Sequence, residues 1–274
     1  MKIDGKQIAN KILDELRTKV GGLKKKNITP CLAIILVGDD PASVAYINQK
    51  ELRAENVGIQ TSVYNLESGI TNQELIRLID KLNRDSKIHG IIIQRPLPTQ
   101  INEEEISRAV APEKDVDGFN PNSQFEMPIV MAVFEILEKI GINKIDLKSK
   151  KIVVLGKGET GGQPVINVLQ KLGTKPTIID SKTMNYEQLT KDADIIICAV
   201  GKANVLKPEM IKRGVTLLGI GISRGESAKL MGDYDQNKIK NIASFYTPTP
   251  GGVGPVNVAM LLKNLAFAAE NSSR

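Results

Sequence analysis

The 274-residue sequence contains no tryptophan, one histidine and two cysteines. Cys31 and Cys198 lie in separate aliphatic runs, with no CxxC pair and no Cys/His cluster, which excludes a zinc framework and a disulfide-stapled fold. Both read as buried thiols, and no metal is expected. His89 stands just before an apolar run and reads as structural, which leaves no histidine-based acid–base mechanism. Aromatic residues make up only 4% of the chain, and none alternate with basic residues as they do in single-strand binders, so nucleic acid is excluded as a partner. Long apolar runs are missing too. The longest, such as Ala33 to Val37 and Ile195 to Val200, fall far short of the roughly 20 residues needed to cross a bilayer. The start also lacks the apolar core of a signal peptide, so a cytoplasmic protein with no membrane partner is expected.

What is present describes a globular chain: 41% hydrophobic, 25% charged, with a net charge of +6. That charge suits anionic small molecules. Its densest run, Lys24 to Lys26, closes an amphipathic helix, where cations favour the negative end of the dipole. The length predicts two domains, each with its own core.

Ile8, Ile12, Leu13, Leu16, Val20 and Leu23 recur at helical spacing, and Cys31 to Val37 follows as a buried strand. Alternation then predicts a helix over 41–56, a strand near 61–64, a helix near 73–83 and a strand over 90–94. Repeated β-α units of this kind imply a parallel sheet. A linking helix over 127–140 leads to a second series, with strands at 151–156, 176–180, 195–200 and 215–220 separated by helical segments. This is the layout of a doubly wound, Rossmann-like sheet. The domains expected are 1–122, completed by a returning C-terminal helix within 256–274, and 123–255.

Two loops carry chemistry. Gly156-Lys-Gly-Glu-Thr-Gly161 follows a predicted strand and opens a predicted helix, the context that a GxGxxG turn needs to cradle a pyrophosphate. Asp180 ends the next strand, where an acidic residue accepts from a ribose 2′-OH. The second loop, Thr247 to Pro255, mixes Pro248, Pro250 and Pro255 with Gly251, Gly252 and Gly254. Its rigid and permissive backbone is suited to close approach by a ligand before a buried helix begins. In the first domain, Tyr46 and Lys50 share one helical face. Gln94 ends a buried strand, and Lys114-Asp-Val-Asp-Gly118 follows it. The carboxyl ends of parallel strands are where ligands bind in open α/β sheets.

Along nearly its whole length the chain resembles the bifunctional methylenetetrahydrofolate dehydrogenase/methenyltetrahydrofolate cyclohydrolase family. The resemblance rests on Asp4-Gly-Lys6, Gly38-Asp-Asp-Pro-Ala-Ser43 with Tyr46-x-x-x-Lys50, Gln94-Arg-Pro-Leu-Pro98, Pro112-Glu-Lys-Asp-Val-Asp-Gly118, Gly232-Asp233 and Pro250-Gly-Gly-Val-Gly-Pro255. It implies that Lys50 is the catalytic lysine, that Gln94 orients it, that Tyr46 stacks on the folate and that Asp117 binds the pterin, with Pro250, Gly251 and Gly252 also on the substrate. It implies a nicotinamide dinucleotide held by Gly156, Lys157, Gly158, Thr160, Gly161, Asp180, Ser181, Gly201, Ile222 and Gly254. It further implies a homodimer working in one-carbon metabolism and purine biosynthesis.

The sequence departs from the family pattern at several points. Met127-Pro-Ile-Val-Met-Ala132 stands where Pro-Cys-Thr-Pro-x-Gly is usual. Lys157-Gly158 replaces Arg-Ser, Asp180 replaces a histidine, Gly219 an aspartate and Asn257 a threonine. Family habit points to NADP, whereas the carboxylate of Asp180 favours NAD. The expected activity is oxidation of methylenetetrahydrofolate followed by hydrolysis of the methenyl product, with both ligands in the cleft between the domains. The alternatives are an enzyme keeping one of the two activities and a non-catalytic dinucleotide-binding regulator.

Overall fold

A computed structural model of the chain describes residues 1–225 and 230–272. Its elements run α1 (Gly5–Lys25), β1 (Cys31–Val37), α2 (Pro41–Asn56), β2 (Gln60–Leu66), α3 (Asn72–Arg84), β3 (Gly90–Ile93), α4 (Glu103–Ala109) and α5 (Pro128–Lys139). They continue as β4 (Ile152–Leu155), α6 (Gly162–Lys171), β5 (Thr177–Ile179), α7 (Tyr186–Lys191), β6 (Ile195–Cys198), β7 (Thr216–Gly219), β8 (Ile222–Arg224), β9 (Leu230–Gly232), α8 (Gln236–Ile239), β10 (Phe245–Tyr246) and α9 (Val253–Asn271). Two compact units result, one of Asn10–Pro128 with Val258–Arg274 and one of Met1–Ala9 with Ile129–Asn257.

The unit boundaries differ from those expected at the N-terminus. Lys2 bridges Tyr246 in parallel, Ile3 N donates to Tyr246 O at 2.8 Å and Tyr246 N to Met1 O at 3.1 Å. The first residues therefore extend the second sheet rather than the first. At the other boundary, Ser123 Oγ donates to Asp115 O at 2.9 Å and Asn264 Nδ2 to Glu126 O at 3.0 Å, which ties 123–126 to the first unit.

The first unit holds a three-stranded parallel sheet in the order β2-β1-β3. All seven residues of β1 are buried, as a central parallel strand covered on both faces requires. Cys31, Ala33, Ile35 and Val37 pack in one cluster with Leu75, Ile79 and Leu82 of α3 and Ile106 of α4. Each such Leu or Ile contributes roughly 1.5–3 kcal/mol by burial. A capping box between Thr71 and Glu74 starts α3. On the opposite face, a Cβ at Gly90 would lie 2.7 Å from Leu265 Cδ1 and 2.9 Å from Val116. Glycine there lets α9 approach β3, so the C-terminal helix does return to the first unit.

The second unit is built on five parallel strands in the order β10-β7-β6-β4-β5, with β8 and β9 forming a separate antiparallel pair. Val153, Leu155, Ile196, Cys198, Val215 and Leu217 pack with Leu206, Met210 and Tyr234 in one core. Here the expectation of helices between all strands needs correction. Only a 3-10 turn, Pro208–Met210, lies between β6 and β7. Pro208 removes a donor at the start of that segment, and Ile211, with extended backbone, ends it. No helix in the described residues is long and apolar enough to cross a membrane.

Candidate active site

In the first unit the chain leaves β1 towards β2 on one side and places β3 on the other, so the strand order reverses at β1. The crevice outside such a reversal is where α/β sheets bind ligands. Two chain segments emerge there. Gly38, with φ +86°, turns β1 into α2, which is capped by Asp40 accepting from Ser43 N. Gln94 N continues the ladder beyond β3 by donating to Ile35 O at 2.8 Å. Lys50, one turn beyond Tyr46 on α2, crosses to this point. Its Nζ donates to Gln94 Oε1 at 3.0 Å and sits 4.8 Å from the Tyr46 ring centroid. Lys50 is only 5% exposed. Burial lowers its pKa, because desolvation penalises the ammonium, and the nearby carboxylate of Asp117 opposes that shift.

Asp117 lies in the loop after α4. Burial raises its pKa, while Lys50 and then Arg95 pull it back down. The structure thus brings Tyr46, Lys50, Gln94 and Asp117 into one neighbourhood within one unit. Gly118 follows with φ +77°, and a Cβ there would lie 2.9 Å from Met127 Cγ. Buried Asp115, two residues before Asp117, is 3% exposed and accepts from Asn120 N at 2.7 Å. Burial pushes its pKa up to about 6 against the lowering effect of the Asn120 hydrogen bond.

In the second unit the order reverses at β4. Gly156 leaves β4 with φ +95°, and a Cβ there would lie 2.5 Å from Ala199 O, just beyond β6. At Gly162, the first residue of α6, a Cβ would lie 1.9 Å from Gly156 O. Both glycines are therefore required for the turn to fold this tightly. Gly158 meets nothing within 4 Å, so the outer side of the turn is open to a pyrophosphate facing the α6 N-terminus. Lys157 Nζ pairs with Asp180 Oδ2 at 2.8 Å. Asp180 also accepts from Lys182 N and Thr183 Oγ1, each at 3.0 Å. With the Lys157 hydrogen bond as the largest cause, its pKa falls to about 2. Gly201 (φ +71°) and Ile222 are neighbours across the β6 and β8 ends, since a Cβ at Gly201 would lie 3.5 Å from Ile222 O.

Thr160 and Ser181 are exposed on the same loops. Gly254 lies in the first turn of α9, where a Cβ would meet nothing within 4 Å. The Pro250 to Gly252 loop is held within this unit: Gly251 has φ +100°, and a Cβ at Gly5 would lie 1.8 Å from Gly252 O. Among the described residues no cluster of three or more potential metal ligands occurs. His89 Nδ1 accepts from Cys31 N at 3.2 Å, a bond internal to the sheet.

Residue-by-residue reading of the sequence misses one shaping residue here. Asp233, fully buried, accepts from Val200 N and Lys202 N at 3.1 Å each, and a Cβ at Gly221 would lie 2.2 Å from its Oδ2. One carboxylate therefore gathers the backbone ends of β6 and β7. Its motif with Gly232 is visible in the sequence, but its partners are main-chain donors, which leave no side-chain signature.

A glycine-rich turn and an acidic strand end at one reversal, with a buried Lys–Gln pair near an aspartate at the other, define a two-unit α/β protein whose second unit has the layout of a dinucleotide-binding module and whose first unit holds a buried amine beside a carboxylate. Family models described as the tetrahydrofolate dehydrogenase/cyclohydrolase catalytic domain and NAD(P)-binding domain match residues 3–117 and 129–273. The bifunctional protein FolD of Campylobacter hominis is 41% identical over 275 residues, covering 98% of this chain and 97% of that protein. The Campylobacter jejuni FolD structure aligns with TM-score 0.93 at 39% identity, covering 99% of both chains. A Trypanosoma brucei FolD structure with NADP cofactor and inhibitor aligns with TM-score 0.94 at 29% identity, covering 100% of this chain and 98% of that one. The chain belongs to the tetrahydrofolate dehydrogenase/cyclohydrolase family.

Proposed function

We propose that the chain oxidises methylenetetrahydrofolate with a nicotinamide dinucleotide and hydrolyses the resulting methenyl compound to 10-formyltetrahydrofolate. The observation that carries the second step is the buried Lys50 amine held by Gln94 Oε1 at 3.0 Å. Burial favours its neutral form, so Lys50 can take a proton from the water that attacks the methenyl carbon. Gln94 fixes the amine, and Tyr46 offers a flat face to the folate. Asp117 accepts a bidentate pair of hydrogen bonds from the amino-pyrimidine edge of the pterin. Pro250, Gly251 and Gly252 supply backbone for the substrate. A nicotinamide dinucleotide, when bound, would supply the hydride acceptor, and the chain's own contribution is placement.

In this reading the first unit binds folate and carries the catalytic residues, while the second unit binds the dinucleotide at Gly156, Lys157, Gly158, Thr160, Gly161, Asp180, Ser181, Gly201, Ile222 and Gly254. We assign NAD as the preferred cofactor. Asp180 is ionised, and a 2′-phosphate beside it meets like charge where NAD offers a hydroxyl donor. A second reading, NADP, is favoured by Lys157, which sits 2.8 Å from Asp180 and can turn to a phosphate. The enzyme is proposed to work as a cytoplasmic homodimer. Purified protein assayed with methylenetetrahydrofolate and each nicotinamide cofactor, and separately with the methenyl compound, tests both steps. Absence of either reaction with both cofactors refutes that half of the function.

A further inference from the structure

We propose that Arg95 is a positioning residue of the folate site, holding the Asp117 loop and the Gln94 strand end in register with each other. The side chain is only 12% exposed and engages three groups. Its Nη1 pairs with Glu103, its Nη2 donates to Ser107 Oγ at 2.7 Å, and its guanidinium lies 4.1 Å from the centroid of the Phe119 ring. Glu103 and Ser107 are on α4, and Ser107 Oγ donates onward to Glu103 O at 2.7 Å. The arginine is thus clamped at one face of a helix while its flat side carries Phe119. Phe119 is two residues beyond Asp117, across the left-handed Gly118, so fixing its ring fixes the direction from which Asp117 enters the site. The main chain of the same residue holds the other partner: Gln94 Nε2 donates to Arg95 O at 2.8 Å, which turns Gln94 Oε1 towards Lys50.

An exposed ion pair would contribute little, but a stacked, nearly buried guanidinium is a fixed plane, and lysine cannot reproduce it. Arg95 also has an electrostatic part. The charges that act on Asp117 are Lys50 from α2, Arg95 from the end of β3 and Asp115 from its own loop. Removing Arg95 leaves Lys50 alone to offset burial of the carboxylate. The inference rests on the reading that Asp117 binds the pterin.

The test compares Arg95→Leu, Arg95→Lys and Asp117→Asn in the full-length protein. It reads kcat, the KM of each substrate, and the pH dependence of binding of a non-reactive folate analogue. Arg95→Leu is expected to raise the folate KM about tenfold, with kcat within a factor of about three and the dinucleotide KM unchanged. The acid limb of analogue binding should move to higher pH, because Arg95 no longer lowers the Asp117 pKa, a shift that loss of a merely structural contact does not give. Arg95→Lys should keep the acid limb and show an intermediate KM. If Arg95→Leu does not fold, a wild-type folate KM in Arg95→Lys overturns the proposal. An unmoved KM and acid limb in Arg95→Leu, with binding weakened in Asp117→Asn, overturns the role of Arg95 alone. Full affinity in Asp117→Asn overturns it together with the pterin assignment.

Discussion

Lys50→Met tests the proton-handling site most directly, because it removes the amine while keeping chain length. In the structure Lys50 Nζ donates to Gln94 Oε1 at 3.0 Å and lies 4.8 Å from the Tyr46 ring centroid. Methionine forfeits both but also ends the desolvation of a residue that is 5% exposed, so stability should change by less than about 2 kcal/mol. Catalysis should change far more. A positioned acid–base group supplies about 10² to 10⁴ in rate, or roughly 3–5 kcal/mol of barrier. Hydrolysis of the methenyl compound, followed by the loss of its absorbance, should fall by that factor in a variant whose thermal unfolding is nearly unchanged. Wild-type hydrolysis should rise with pH through a midpoint below the ordinary lysine range, since burial lowers the Lys50 pKa, and this limb should vanish from the residual rate of the variant. A variant that hydrolyses at the wild-type rate, or keeps the same limb, would refute the assignment.

Three further outcomes are expected. Asp117→Ala should lose roughly 1.5–3 kcal/mol of binding per charge-assisted bond to the pterin, lowering both activities together; titration calorimetry with a folate analogue reads it, and undiminished affinity places the pterin elsewhere. Asp180→Ser should lower the NAD/NADP ratio of kcat/KM, and an unchanged ratio shows that Asp180 is not the selector. Asp115 has a native pKa raised to about 6 from 3.8, so the native state holds its proton more tightly than the unfolded chain does. Its contribution is therefore greatest at acid pH and is lost as pH rises from about 4 through about 6, a change of about 3 kcal/mol. Asp115→Asn should gain stability relative to wild type across that window, and a flat difference in Tm between pH 4 and 7 contradicts the argument.

The elements readable in the sequence are those whose own residues carry the periodicity. β1 is a seven-residue aliphatic run, every position of which is buried, and α3 shows both its apolar face and its capping box. The elements missed are short or charged. α4 begins with three glutamates and buries only Ile106 and Ser107, so no hydrophobic stripe marks it. β8 and β9 are three residues each, and the two-residue β10 is defined by pairing with β7 rather than by its own pattern. The same distinction governs the site. Tyr46 and Lys50 are legible as a helical pair, and the glycine turn at 156–161 by its place between strand and helix. Lys50 with Gln94, 44 residues apart, became legible only through the combination of motifs. Arg95 on Phe119 and Asp233 on main-chain donors carry no local spacing at all, because their partners are set by tertiary packing.

Both sheets reverse strand order at their first strand, and each reversal gathers a different chemistry: Lys50, Gln94 and the Asp117 loop at one, Gly156, Lys157 and Asp180 at the other. The two networks share no residue, and sites without shared partners have effects that add as free energies. The double variant Lys50→Met/Asp180→Ser should therefore lower hydrolysis of the methenyl compound by the factor seen for Lys50→Met alone, and shift the NAD/NADP ratio of the dehydrogenase as Asp180→Ser does alone. The measurement is a double-mutant cycle on both activities with both cofactors. A coupling above about 0.5 kcal/mol in either would mean that cofactor selection and proton handling are linked, and would refute the division of labour that the two sheet reversals imply.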